Sequence, residues 1–142
     1  MRLSKRFTFD AAHMLSRYNG KCANLHGHTY HAEVDIVGHT DGDILVDFND
    51  IKNFFDEYDH AIIFAGDDVR CEAEEELLNW AEVYRLRYVM MPSKRRPTAE
   101  NMAQLMADKL YRATKKDGVA SVSIRLWETP SSYAEATSIV TD

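Results

Sequence analysis

The chain has 142 residues, 45% of them hydrophobic and 28% charged, with a net charge of −6. That length fits one domain with a sizeable core. The acidic balance excludes a general nucleic-acid binder, which needs a basic surface to neutralise phosphates.

Taken in chain order, residues 3–12 alternate, with Leu3, Lys5, Phe7, Phe9 and Ala11 on one face and Arg6, Thr8 and Asp10 on the other, which predicts a strand. Residues 14–25, with Asn19-Gly20, predict a loop. Alternation returns from Thr29 to Val37. Asp41-Gly42 then signals a hairpin with Ile44-Leu45-Val46 as its return strand. Asn49 is a candidate helix cap, and Ile51, Phe54, Phe55 and Tyr58 follow at helical spacing, with Asp59-His60 at or just past the end. Residues 71–83 form an acidic helical stretch, and Tyr88–Met91 a short strand candidate. Pro97-Thr98 opens a second strong helix with Met102, Leu105, Met106 and Leu110 on one side. Gly118 ends it; Val119–Glu128 alternates, and 133–140 predicts a last strand. Strand pairs separated by helices imply an α+β fold with an antiparallel sheet and helices on one face. No run of 18 apolar residues offers a membrane span. The N-terminal MRLSKRFTFD lacks the apolar stretch of a secretory signal, so a cytoplasmic location is expected.

The stretch CANLHGH, residues 22–28, carries the chemistry. On an extended chain His26 and His28 project to the same face, which suits a zinc ion. The same parity turns His31 and His39 away from His28. His13 ends the first strand in phase with Phe7 and Phe9. Alone it would read as a satisfied core residue; beside His-X-His it is the best third ligand. Three histidines with an open position make a catalytic zinc arrangement. Cys22 is either a fourth ligand closing a structural site or a working thiolate, a form that Lys21 and a zinc ion would both favour. Cys71 reads as an ordinary thiol. Asp59-His60 reads first as a helix terminus with a favourably placed imidazole, and second as a carboxylate–imidazole relay. Glu128 is in phase with the apolar Val122, Ile124 and Leu126. It is either past the strand and solvated, or an acceptor for the paired N–H donors of a heterocycle. Thr98 and Glu100 fit an N-cap and a dipole-favoured first turn.

Six pieces, FTFDAAH (7–13), CANLHGHTY (22–30), LVDFNDIK (45–52), YDHAI (58–62), PTAENMA (97–103) and RLWETPSSYA (125–134), stand in one order along nearly the whole chain. Together they resemble the 6-pyruvoyltetrahydropterin synthase superfamily, and most closely its bacterial queuosine branch of 6-carboxytetrahydropterin synthases. The Cys-X3-His-Gly-His spacing carries the branch; the animal biopterin branch has a longer gap, and the folate-serving branch tends to have glutamate at the cysteine position.

The resemblance implies a single domain over 1–142 with the tunnelling fold, an antiparallel four-stranded sheet with two helices on one face. It implies trimers that close into a barrel and pair as a homohexamer. One zinc per subunit is implied on His13, His26 and His28. Cys22 is implied as the catalytic thiol, Asp59 and His60 as its relay, and Glu128 as the holder of the pterin ring, with Thr98 and Glu100 nearby. The implied activity is a lyase converting 7,8-dihydroneopterin triphosphate to 6-carboxy-5,6,7,8-tetrahydropterin with release of acetaldehyde and triphosphate. Neither nucleic acid nor membrane is an expected partner. Pyruvoyl-retaining synthase activity and a non-catalytic zinc scaffold stay open as alternatives. The segment AIIFAGDD departs from relatives, and the acidic insert 66–87 is longer than in the shortest members.

Overall fold

A computed structural model describes residues 1–139; position 140, the end of the expected last strand, lies outside the described residues. Six strands form one sheet: β1 (Arg2–His13), β2 (His26–Gly38), β3 (Ala61–Phe64), β4 (Tyr88–Met90), β5 (Val119–Thr129) and β6 (Ser132–Ile139). Their order is β4-β3-β1-β2-β5-β6. The long strands β1, β2, β5 and β6 pair antiparallel, as the alternation predicts. The expectation of four strands is corrected by two short ones, β3 and β4, which add in parallel to the free side of β1 and make the sheet mixed. The resemblance implies two helices, but the three that the periodicity predicts are present: α1 (Phe48–Phe54), α2 (Glu72–Val83) and α3 (Ala99–Thr114).

The return strand expected over 44–46 does not form; that segment has no strand structure. From His31 to Val37, where a return strand would pair, β2 already has β1 on one side and β5 on the other, so no edge is free for a hairpin partner. Leu45 instead turns inward and is buried, while Ile44 stays exposed. Gly118, at φ 96°, lets the chain turn into β5 where a Cβ would meet the His39 carbonyl oxygen at 2.1 Å.

The core sits between the sheet and its helices. Phe9 and Ala11 of β1, Tyr30, Ala32, Val34 and Ile36 of β2, and Val122, Ile124 and Leu126 of β5 are all buried on one face. The α3 helix covers it with Met102, Ala103, Met106, Ala107 and Leu110, whose alanines allow close approach to the strands. Thr98 caps α3, its hydroxyl accepting from the Asn101 N–H at 3.1 Å. Asp47, two residues before the expected cap, starts α1 by accepting from the Asn49 N–H at 2.7 Å. The other face of the long strands is polar and tied by cross-strand ion pairs, Arg6–Glu33 at 3.1 Å and Arg125–Glu135 at 3.4 Å among them. At the β3 end, Phe64 and Ile62 of that face pack on Leu78 and Ala81 of α2 as a second, smaller cluster, so the helices are not all on one face as expected.

Candidate functional site

The apolar stripe of the three central strands runs out, at one end of the sheet, into four polar side chains. His13 lies directly across from His26, and Ala11 across from His28. The pairing of His31 with Trp127 carries Glu128 one step further, opposite Tyr30. Because His13, His26, His28 and Glu128 all keep the parity of the core residues, the twist and register of β1, β2 and β5 bring them to one point. One ligand atom from each lies within 4.8 Å of every other. His13 is buried, and the other three are half-buried. His31 points to the opposite face and is exposed.

The protonation pattern follows from the neighbours. Nδ1 of His13 lies 2.7 Å from the Pro97 carbonyl oxygen, and Nδ1 of His26 lies 2.7 Å from that of Asn24. A carbonyl only accepts, so each Nδ1 carries the proton and each neutral ring leaves Nε2 as a bare lone pair. Those two Nε2 atoms face each other at 3.1 Å, a repulsive contact between two neutral rings of this tautomer unless a cation or a shared proton lies between them. Burial, reinforced by His26 and His28, pushes His13 down to about 4, which keeps its lone pair available. Burial also lowers His28, against the opposing pull of Glu128. Nε2 of His28 comes within 3.0 Å of a Glu128 oxygen, yet the two are out of line for a hydrogen bond and the nitrogen has no other partner. Three imidazoles and a carboxylate, with outer carbonyls fixing two rings, fit a divalent transition metal.

Cys22 sits half-buried in a short 3-10 turn, Lys21–Ala23, and is not among the four converging residues. Its carbonyl accepts from the Leu15 N–H at 2.8 Å, which closes the loop on the end of β1. Asp59 and His60 stand apart from the cluster, at the entry to β3, and are rooted on the backbone of Asp10. Asp59 accepts the Asp10 N–H at 3.0 Å, and the His60 N–H donates to the Asp10 carbonyl at 2.6 Å. His60 adopts φ 59°, and its Nδ1 lies 3.1 Å from Asp59. The Asp10 N–H and then His60 hold the Asp59 carboxyl below its ordinary range. His60 borders an open groove of about 460 Å³ that Gly27 and His28 also line. Thr98 is occupied as the α3 cap, and Glu100 is exposed on the first turn.

Sequence reasoning missed Pro97, Asn24 and Asp10, which act through backbone groups common to every residue type. Proline just before a cap was the one available signal for Pro97.

Residues 2–138 match the model of the family described as 6-pyruvoyl tetrahydropterin synthase. A Haemophilus influenzae protein named 6-carboxy-5,6,7,8-tetrahydropterin synthase is 37% identical over 94% of this chain and 96% of its own length. An Aquifex aeolicus protein of the same name is 33% identical over 94% of this chain and 95% of its own. In structure, the 6-pyruvoyltetrahydropterin synthase of Plasmodium vivax superposes with a TM-score of 0.69 at 20% identity, covering 99% of this chain and 98% of that one, a likeness of fold.

Proposed function

This chain belongs to the 6-pyruvoyl tetrahydropterin synthase family, and on that premise we propose that it is a 6-carboxy-5,6,7,8-tetrahydropterin synthase. It takes 7,8-dihydroneopterin triphosphate and releases acetaldehyde and triphosphate, in the cytoplasm, as a step toward queuosine. The relatives that carry this name at 37% and 33% identity support the branch. The observation that carries the site is the pair of bare Nε2 atoms of His13 and His26 at 3.1 Å.

His13, His26 and His28 hold the metal, which we take to be zinc, one per subunit. Zinc so held supplies Lewis acidity toward the oxygens of the substrate side chain. Cys22, as thiolate, accepts the side-chain proton, and the Asp59–His60 pair supports that transfer. Glu128 accepts the N–H donors of the pterin ring. A carboxylate has two oxygens and about four lone-pair sites, so one oxygen can face His28 while the other holds the ring. Anchoring the ring fixes where the side chain falls. Thr98 and Glu100 border the ring. The chain works as one domain within a homohexamer of two trimers.

Mass spectrometry of the products, after zinc-loaded protein meets 7,8-dihydroneopterin triphosphate, tests this reading. A 6-carboxytetrahydropterin product that disappears in Cys22→Ala, with zinc retained, is the expected result. A product that keeps its pyruvoyl side chain would sink the branch assignment. Loss of zinc from Cys22→Ala would instead make Cys22 a structural ligand.

A further inference from the structure

Glu74 is the one carboxylate among the described residues whose side chain is fully buried. It stands on the inward face of α2, in the acidic insert that the proposed chemistry leaves unused. A buried carboxylate is stable only if donors satisfy it. Here each oxygen has one. The Ser16 hydroxyl donates to Oε1 at 2.5 Å, and the Ala65 N–H donates to Oε2 at 2.8 Å.

Ser16, itself buried, opens the loop that leaves His13 and carries Cys22. Its oxygens are also occupied: Oγ accepts the Cys71 N–H at 3.0 Å, and its carbonyl accepts from Arg96 at 3.4 Å. One residue earlier, the Leu15 N–H holds the Cys22 carbonyl at 2.8 Å. Hydrogen bonds at the adjacent residues Leu15 and Ser16 therefore tie one short backbone segment to both the insert helix and the cysteine turn. We propose that Glu74 is a positioning residue: through Ser16 it fixes the loop between His13 and His26, and with it the place of Cys22 relative to the histidine cluster. The inference rests on the reading of Cys22 as the proton acceptor.

The amide of a glutamine offers one acceptor and one donor group where the carboxylate offers two acceptors, so Glu74→Gln either releases the Ala65 N–H or keeps it and donates its NH2 to the Ser16 hydroxyl, which reverses that bond and turns the hydroxyl proton away. Ser16→Ala removes only the hydroxyl, and Ser16→Thr restores one. The test uses metal-loaded protein carrying Cys71→Ser, so that Cys22 is the single thiol. For each variant the measurements are metal content, kcat, KM and the pH profile of Cys22 alkylation by iodoacetamide. Glu74→Gln and Ser16→Ala are expected to keep the metal and to lose on the order of 10- to 100-fold in kcat, the usual cost of a misplaced reacting group, with KM little changed. Their alkylation profiles shift, and Ser16→Thr recovers both readouts. An unchanged kcat and alkylation profile, with only a lower melting temperature, would overturn the proposal and leave Glu74 a fold-stabilising residue. If Glu74→Gln does not fold, Ser16→Ala decides alone. If Cys22→Ala keeps full turnover, the proton role of Cys22 fails, and the alkylation profile still decides whether Glu74 positions the loop.

Discussion

At His13 and His26 one device recurs: a backbone carbonyl takes the Nδ1 proton and leaves Nε2 for the cluster. Removing a ring should therefore remove metal rather than merely weaken packing. His26→Ala is expected to bind substoichiometric zinc by elemental analysis, whereas His31→Ala, five residues along and on the other face, keeps full occupancy. Asp59 makes a different kind of prediction. Its folded-state carboxyl titrates below the ordinary value because the Asp10 N–H and His60 favour its charge. Its stabilising contribution is thus complete above about pH 3.8 and is lost as pH falls through the lower folded value. Asp59→Asn should be less stable than the parent at pH 7, by a small margin because the side chain is 39% exposed. The gap should close in urea titrations as pH falls below the ordinary value of 3.8 and through the lower folded one. A gap that persists there would show that the side-chain amide disturbs the turn by another route.

At the level of elements, sequence pattern reads well where a period is long and poorly where it is short. β1, β2, β5 and α3 each repeat their apolar spacing several times, and their faces were legible from Phe9, Val34, Ile124 and Met106. β3 has four residues, Ala-Ile-Ile-Phe, too few to separate a strand from the tail of the preceding helix. The 44–46 segment has strand-like residues, but whether an edge remained for it depended on β5, some 75 residues away. The convergence of Glu128 with the histidines was legible only as a parity, since the distance depends on the twist of β5 against β2. Two substitutions probe these elements. Met106→Ala, in the fully buried stripe of α3, should cost about 2–5 kcal/mol in urea unfolding. Gly118→Ala should cost about 1–3 kcal/mol, from the left-handed backbone and the close His39 carbonyl. A loss well under 1 kcal/mol at Gly118 would mean that the turn rearranges without strain.

Across the whole molecule, the metal cluster draws on three adjacent strands, and the His13 ring reaches the entrance of α3 through Pro97. A bound ion should therefore stabilise the fold globally and not just the loop. By mass action the gain is about 2.7 kcal/mol when free metal is a hundred times its dissociation constant. Chelated protein is expected to melt lower than zinc-loaded protein, and the difference should vanish in His13→Ala. Calorimetry that shows one melting temperature with and without zinc would place the ion outside the cooperative core.

The four converging residues occupy positions of the core stripe itself, with no separate scaffold of their own. Strand parity thus governs how this gene can change length. One codon inserted between Phe9 and His13 would turn His13 to the solvent face, and one inserted between His28 and Tyr30 would set both histidines of β2 against the parity of their own strand. Two codons restore the facing but slide the pair out of reach by one step of the ladder. Insertions and deletions are consequently barred from these strands and left to the connecting segments, so lineages of this protein are expected to differ in loop length while the strand lengths between site residues stay constant.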